Sequence, residues 1–198
     1  MALAVAYDFF DAVLFNLGCR WFRKPKNIAG QVVLITGAGS GLGRKLAEYF
    51  ATTKCRLVLW DIDEKGNEET KRICEEVFSE VGDVEILVNN AGIARDAGPF
   101  LDKKDEVMQK IIEVNMLSHI WMAKAFLPKM IERDRGHIVC ICSLGGIVGA
   151  GLDEVAEEIL YTVLTNRRIV VLPRKACILY FLKGVLPRRV FQRLLFFK

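Results

Sequence analysis

The chain has 198 residues, 52% hydrophobic and 26% charged, with 16 Gly and 5 Pro. That is enough apolar material for one domain with a real core, and it excludes a disordered, fibrous or low-complexity chain. The net charge of +4 is unevenly spread: no acidic residue follows Glu158, while nine basic residues run from Arg167 to Lys198. An acidic body with a basic, apolar tail suggests contact with an anionic surface.

Residues 1–22 form an apolar run broken by Asp8, Asp11 and Asn16 and followed by Arg23-Lys24-Pro25-Lys26. Positive charge after the run, not before it, is the wrong order for a secretory signal. At helical spacing the three polar residues share one wedge, with Phe9, Phe10, Val13, Leu14 and Leu17 largely outside it. The pattern predicts a helix over 3–17 lying in a membrane interface, residues 1–26 forming an anchor segment and 27–198 the folded domain. The alternative is an amphipathic helix packed on the body itself.

Residues 31–36 read as a buried strand that runs directly into Thr36-Gly37-Ala38-Gly39-Ser40-Gly41-Leu42-Gly43, and then a helix over 41–52. Strand, glycine turn and helix together make an anion site: glycines let the backbone approach a pyrophosphate, and the helix start offers free N–H groups. A second strand, 56–60, ends at Asp61, 18 residues past Gly43. A carboxylate there can accept hydrogen bonds from both adenosine ribose hydroxyls and repels a 2′-phosphate, so NAD is expected over NADP. The plainer role for Asp61 is a strand-end turn residue. A helix over 64–80 follows, then a strand over 84–88 leading into Asn89-Asn90-Ala91-Gly92. A helix is predicted over 103–131 and a strand over 137–142. The rest reads as helix 153–164, strand 168–172 and helices 175–184 and 187–196. Cys140 and Cys142, two apart on one strand face, read as small buried core residues. None of the six cysteines forms a C-x-x-C pair and there are two histidines, so neither a zinc site nor a disulfide framework is expected.

The glycine turn at 36–43 and N-N-A-G at 89–92 together resemble the short-chain dehydrogenase/reductase family. Asn115 in EVNMLSHIWMAKAFLPKM, GHIV at 136–139 and Ser143 after a strand extend the resemblance. LVLWDI, KAFLP and GHIV, with the apolar N-terminus followed by R-K-P-K, are similar to a membrane-associated branch. That branch includes the retinol dehydrogenases and 17-beta-hydroxysteroid dehydrogenases of endoplasmic reticulum and lipid droplets. The resemblance implies an α/β, Rossmann-like doubly wound parallel sheet, truncated to about five strands where the intact fold has seven. It implies cofactor contacts from Gly37, Ser40, Gly41, Leu42, Gly43, Asp61, Asn90, Ala91 and Gly92, with NAD as cofactor and no metal. Asn115 is expected to kink its helix and hold a water in a proton relay, and Ser143 to bind the substrate oxygen.

The family's acid/base pair, a tyrosine with a lysine four residues later, is absent. The residues four beyond Tyr7, Tyr49, Tyr161 and Tyr180 are Asp11, Thr53, Thr165 and Gly184. The segment after Leu152 resembles the family's late helix, well past the catalytic one. No strand occurs between Asp61 and Val84, where the family has its third. The chain reads as a member with two internal segments removed, so that one sheet edge and one sheet face lie bare. The expected function is hydride transfer between NAD and a lipophilic alcohol or ketone, retinoid or steroid, impaired in this chain. The expected setting is the cytosolic face of endoplasmic reticulum or lipid droplets, with homo- or hetero-oligomers of intact relatives as partners. The alternatives are a non-catalytic nucleotide- or partner-binding membrane protein, and a product that folds poorly. Nucleic-acid binding is not expected, since the tail alternates its charges with Leu, Phe and Val.

Overall fold

The structure, a computed structural model, describes residues 24–63, 65, 83–94, 100–142 and 152–167. Residues 1–23 of the anchor segment, all but residue 65 of the helix over 64–80, Ser143 and the elements expected beyond residue 167 fall outside the described residues.

Four strands make one parallel sheet: β1 (Val32–Thr36), β2 (Arg56–Trp60), β3 (Ile86–Asn89) and β4 (His137–Cys140), in the order β2-β1-β3-β4. Every residue of β1 is buried, which is why this strand reads as an unbroken apolar run: both its faces are covered. On one face, Val33, Ile35, Leu57, Leu59, Ile86 and Val88 meet two helices, α1 (Gly41–Ala51) and the late helix Leu152–Leu164. Leu46, Ala47 and Phe50 of α1 and Ala156, Ile159, Leu160 and Val163 of the late helix complete that core. The late helix therefore packs beside α1.

The opposite face is thinner. Val32, Leu34, Val58 and Leu87 pack against Met130 and, part-buried, Met122 and Phe126. These come from a helical run of α2 (Asp105–Ile112), a π-helical turn (Glu113–Leu117) and α3 (Ser118–Glu132), which makes the late helix α4. Cys140 and Cys142 correct the sequence expectation: both are exposed, not core. Their burial would need a cover over the β4 end of this face, and no described element supplies one. Ile112, Met116, Ile120, Trp121, Leu127 and Ile131 of the helical run are exposed as well. An exposed apolar face marks a contact surface, and the expected loss of a covering helix would leave one here. At the far edge β2 has β1 as its neighbour and no strand outside it among the described residues, which fits the expected loss of a strand there.

The linker before β1 is tied to the body. Lys26 donates its backbone N–H to the Leu164 carbonyl at 2.7 Å and its ammonium to Asn166 Oδ1 at 2.7 Å. Burial, with Lys26 alongside, holds the His137 imidazole below its usual pKa.

Candidate functional site

The sheet order reverses between β1 and β3, since β2 lies outside β1 and β4 outside β3. In an open parallel sheet the ligand crevice opens there, beyond the carboxyl ends of the strands. The two motifs singled out in the sequence, the glycine turn and N-N-A-G, sit at that point.

The turn from β1 to α1 needs its glycines for two different reasons. Gly37 and Gly41 have φ of +66° and +51°, a left-handed backbone that favours glycine. Gly43 has ordinary helical dihedrals but no room: an added Cβ would overlap the Gly37 carbonyl and sit 2.7 Å from Asn90 Nδ2. Ser40 is the N-cap residue of α1, yet its side chain makes no capping bond. Leu42 packs part-buried against the core, so its side chain is structural here.

Asn90 stitches the two strand ends together. Its Nδ2 donates to the Thr36 carbonyl at 3.0 Å and the Gly37 carbonyl at 3.2 Å. Thr36 Oγ1 accepts from the N–H groups of Asn90 (3.1 Å) and Ala91 (3.0 Å). Ala91 presses on Gly37, where an added Cβ would lie 2.9 Å from the Ala91 Cα.

Asp61 reaches across from the end of β2. Its Oδ2 accepts from the Gly39 N–H at 2.8 Å and its Oδ1 from the Asp63 N–H at 2.8 Å. The turn-residue role is thus real, and it fixes the carboxylate against the glycine turn. A carboxylate has about four acceptor positions, so both oxygens retain capacity for ribose hydroxyls. Arg44 NH2 donates to the Gly39 carbonyl at 3.0 Å, closing the turn from the other side.

Asn115 lies in the π-helical turn, an irregularity at the place where the resemblance expects a kink. Its side chain clamps one residue: Oδ1 accepts from the Ile93 N–H at 2.7 Å, and Nδ2 donates to the Ile93 carbonyl at 2.8 Å. Asn115 therefore shapes the loop after β3 and stands beside Gly92, with its Oδ1 3.5 Å from where a Gly92 Cβ would be.

Gly37, Gly41, Gly43, Asp61, Asn90, Ala91, Gly92 and Asn115 thus gather at the carboxyl ends of β1, β2 and β3. Thr36, Asn89 and His119 were missed by sequence reasoning. Thr36 carried a signal, being the one hydroxyl in an otherwise apolar strand. Asn89 opens the N-N-A-G motif, but its contact with His119 spans 30 residues and His119 carried no signal.

The glycine cradle, the helix start above it and the carboxylate at the end of β2 fit a dinucleotide. Among the described residues no group of three or more His, Cys, Asp or Glu could hold a metal ion, and no helix is long and apolar enough to cross a membrane.

A family model described as short chain dehydrogenase matches residues 58–155. Epidermal retinol dehydrogenase 2 of Homo sapiens is 46% identical over 169 residues, 72% of this chain and 53% of the relative. 17-beta-hydroxysteroid dehydrogenase 13 of Mus musculus is 45% identical over 148 residues, 63% of this chain and 49% of the relative. The chain spans about half the length of the curated relatives it matches. Each aligned span is longer than the share of this chain it engages, which puts a gap of this chain inside the alignment. Among solved structures, a metagenomic short-chain oxidoreductase in complex with NADP superposes with a TM-score of 0.55 at 28% identity. The match covers 71% of this chain and 74% of that one. The chain belongs to the short-chain dehydrogenase family, whose members use nicotinamide cofactors, in the branch of the retinol and 17-beta-hydroxysteroid dehydrogenases.

Proposed function

We propose that this chain binds NAD(H) in the crevice between β1 and β3, and that it descends from an enzyme of lipophilic alcohols and ketones without retaining that enzyme's proton chemistry. The observation that carries the first half is the position of Asp61, anchored on the Gly39 amide at the far side of the glycine turn. Gly37, Gly41 and Gly43 cradle the pyrophosphate, and Asn90, Ala91 and Gly92 border the nicotinamide half. A bound nicotinamide supplies a hydride acceptor or donor. The chain's residues supply orientation: Asn115 to hold water, Ser143 to meet a retinoid or steroid oxygen.

Calorimetry with NADH and NADPH tests this reading. The unaltered chain prefers NADH. Asp61→Asn keeps an acceptor for the Gly39 amide but loses the charge that opposes a 2′-phosphate. The preference therefore falls about tenfold, as one like-charge contact near a protein surface requires. Tighter NADPH binding by the unaltered chain sinks the Asp61 assignment.

The second reading, a non-catalytic membrane-associated binder, draws on the absent Tyr–Lys pair and on the exposed apolar face of the helical run, from Ile112 to Ile131. That face suits oligomers with itself or with intact relatives. Residues 1–26 and the basic tail place either version on the cytosolic side of endoplasmic reticulum or lipid droplets. A chain lacking residues 1–26 shifts from the membrane to the soluble fraction on flotation. Unchanged membrane recovery defeats the anchor.

A further inference from the structure

Ala91 is held from two sides. Its N–H is given to Thr36 Oγ1 at 3.0 Å, on the side of the glycine turn. Its carbonyl faces the opposite neighbour, the Nε2 atom of His119 on α3, at 3.2 Å. A carbonyl can only accept, so Nε2 is the donor in this contact and carries a proton. The backbone carbonyl of His119 in turn accepts from Asn89 Nδ2 at 3.3 Å. Asn89 is fully buried at the end of β3, and its Nδ2 also lies 3.9 Å from the Cys140 sulfur. His119 thus ties to β3 twice, through its backbone to the strand's last residue and through its ring to the loop beyond it. Asn115, one helical turn earlier, grips Ile93 on both its N–H and its carbonyl.

We infer that His119 is a positioning residue for the nicotinamide half of the site, fixing the Ala91 carbonyl and with it the far wall of the crevice. This rests on the NAD(H)-binding reading. The pyrophosphate half does not depend on His119, because Thr36 and Asn90 hold the strand end to the glycine turn by themselves. Loosening His119 therefore frees the 91–93 wall and leaves the cradle in place. Its effect is on ligands that reach past the pyrophosphate.

The experiment compares NADH with ADP on the full chain. His119→Leu removes the donor and leaves the Ala91 carbonyl without its partner; His119→Gln keeps an N–H at similar reach. In the Leu variant NADH binding weakens about five- to tenfold, the worth of one hydrogen bond, while ADP binding changes less than about twofold. The Gln variant restores most of the NADH affinity. Equal loss for both ligands, unchanged NADH binding or failure of Gln to rescue each overturns the inference while the NAD(H) reading stands. Failure of the unaltered chain to bind either ligand overturns the reading itself, and the inference with it. Should the Leu variant not fold, the tautomer remains decisive in the unaltered chain. The sequence holds two histidines, His119 and His137, so nitrogen-15 spectra of labelled histidine assign them by the loss of one signal in the Gln variant. A proton on Nε2 of His119 supports the tether, and protonation at Nδ1 alone refutes it.

Discussion

Gly43→Val abolishes dinucleotide binding and unfolds the sheet more readily, lowering stability by about 3 kcal/mol, at the upper end of what overpacking costs. The reason is crowding and not backbone angle. At Gly43 a first side-chain carbon already overlaps the Gly37 carbonyl, and Asn90 Nδ2 closes the space behind it. Both obstructions are fixed, the first being backbone and the second held by two carbonyl acceptors. α1 must then tilt away from β1, carrying off the buried contacts of Leu46 and Phe50. Gly41 is the internal control. It has φ +51° but nothing within 4 Å of an added Cβ, so Gly41→Ala meets only the left-handed penalty, about 1–2 kcal/mol. Denaturant melts and NADH calorimetry on both variants separate the two causes. Were Gly43→Val to melt and bind like the unaltered chain, the close packing of turn on N-N-A-G would be wrong.

What the sequence made legible was local or covered on both sides. β1 announces itself because all five of its residues are buried. Its glycine turn follows without a gap, and N-N-A-G terminates β3 by the same logic. The irregular helix at Asn115 came through resemblance; no periodicity would have signalled a π-helical turn. The tether from Ala91 through His119 to Asn89 was illegible because it joins a strand end to a helix through space. The exposure of Cys140 and Cys142 was misread for a related reason. Alternation along a strand says which residues share a face, but only the neighbouring layer decides whether that face is dry. The sequence had already indicated that a covering helix was gone, and that loss outweighs the apolar character of the run IVCIC. Ser143 and the elements before residue 24 and after residue 167 fall outside the described residues, so those expectations stand as they were.

The same loss sets the largest expected functional effect. Assayed with NAD and either retinol or a 17-hydroxysteroid, the purified chain turns over at a rate lower than that of an intact relative by at least about 10²- to 10⁴-fold, the usual worth of general acid–base catalysis. Hydride can leave an alcohol carbon only as the hydroxyl proton is taken up, and the tyrosine–lysine pair that takes it up in the family is absent from the sequence. Asn115 is an amide and no base, whatever it holds besides the Ile93 backbone. A serine hydroxyl such as Ser143 is no base near neutral pH. Tyr161, the one tyrosine soon after Ser143, lies in α4 on the sheet face away from α3, and Thr165 follows it where the family has lysine. Substrate orientation is weakened as well, because no described element covers the face around Cys140. NADH binding in the same preparation distinguishes a folded, proton-incompetent chain from an unfolded one. Turnover within tenfold of the relative would show another proton path. If Tyr161→Phe then abolished it, α4 would have to stand on the other face of the sheet.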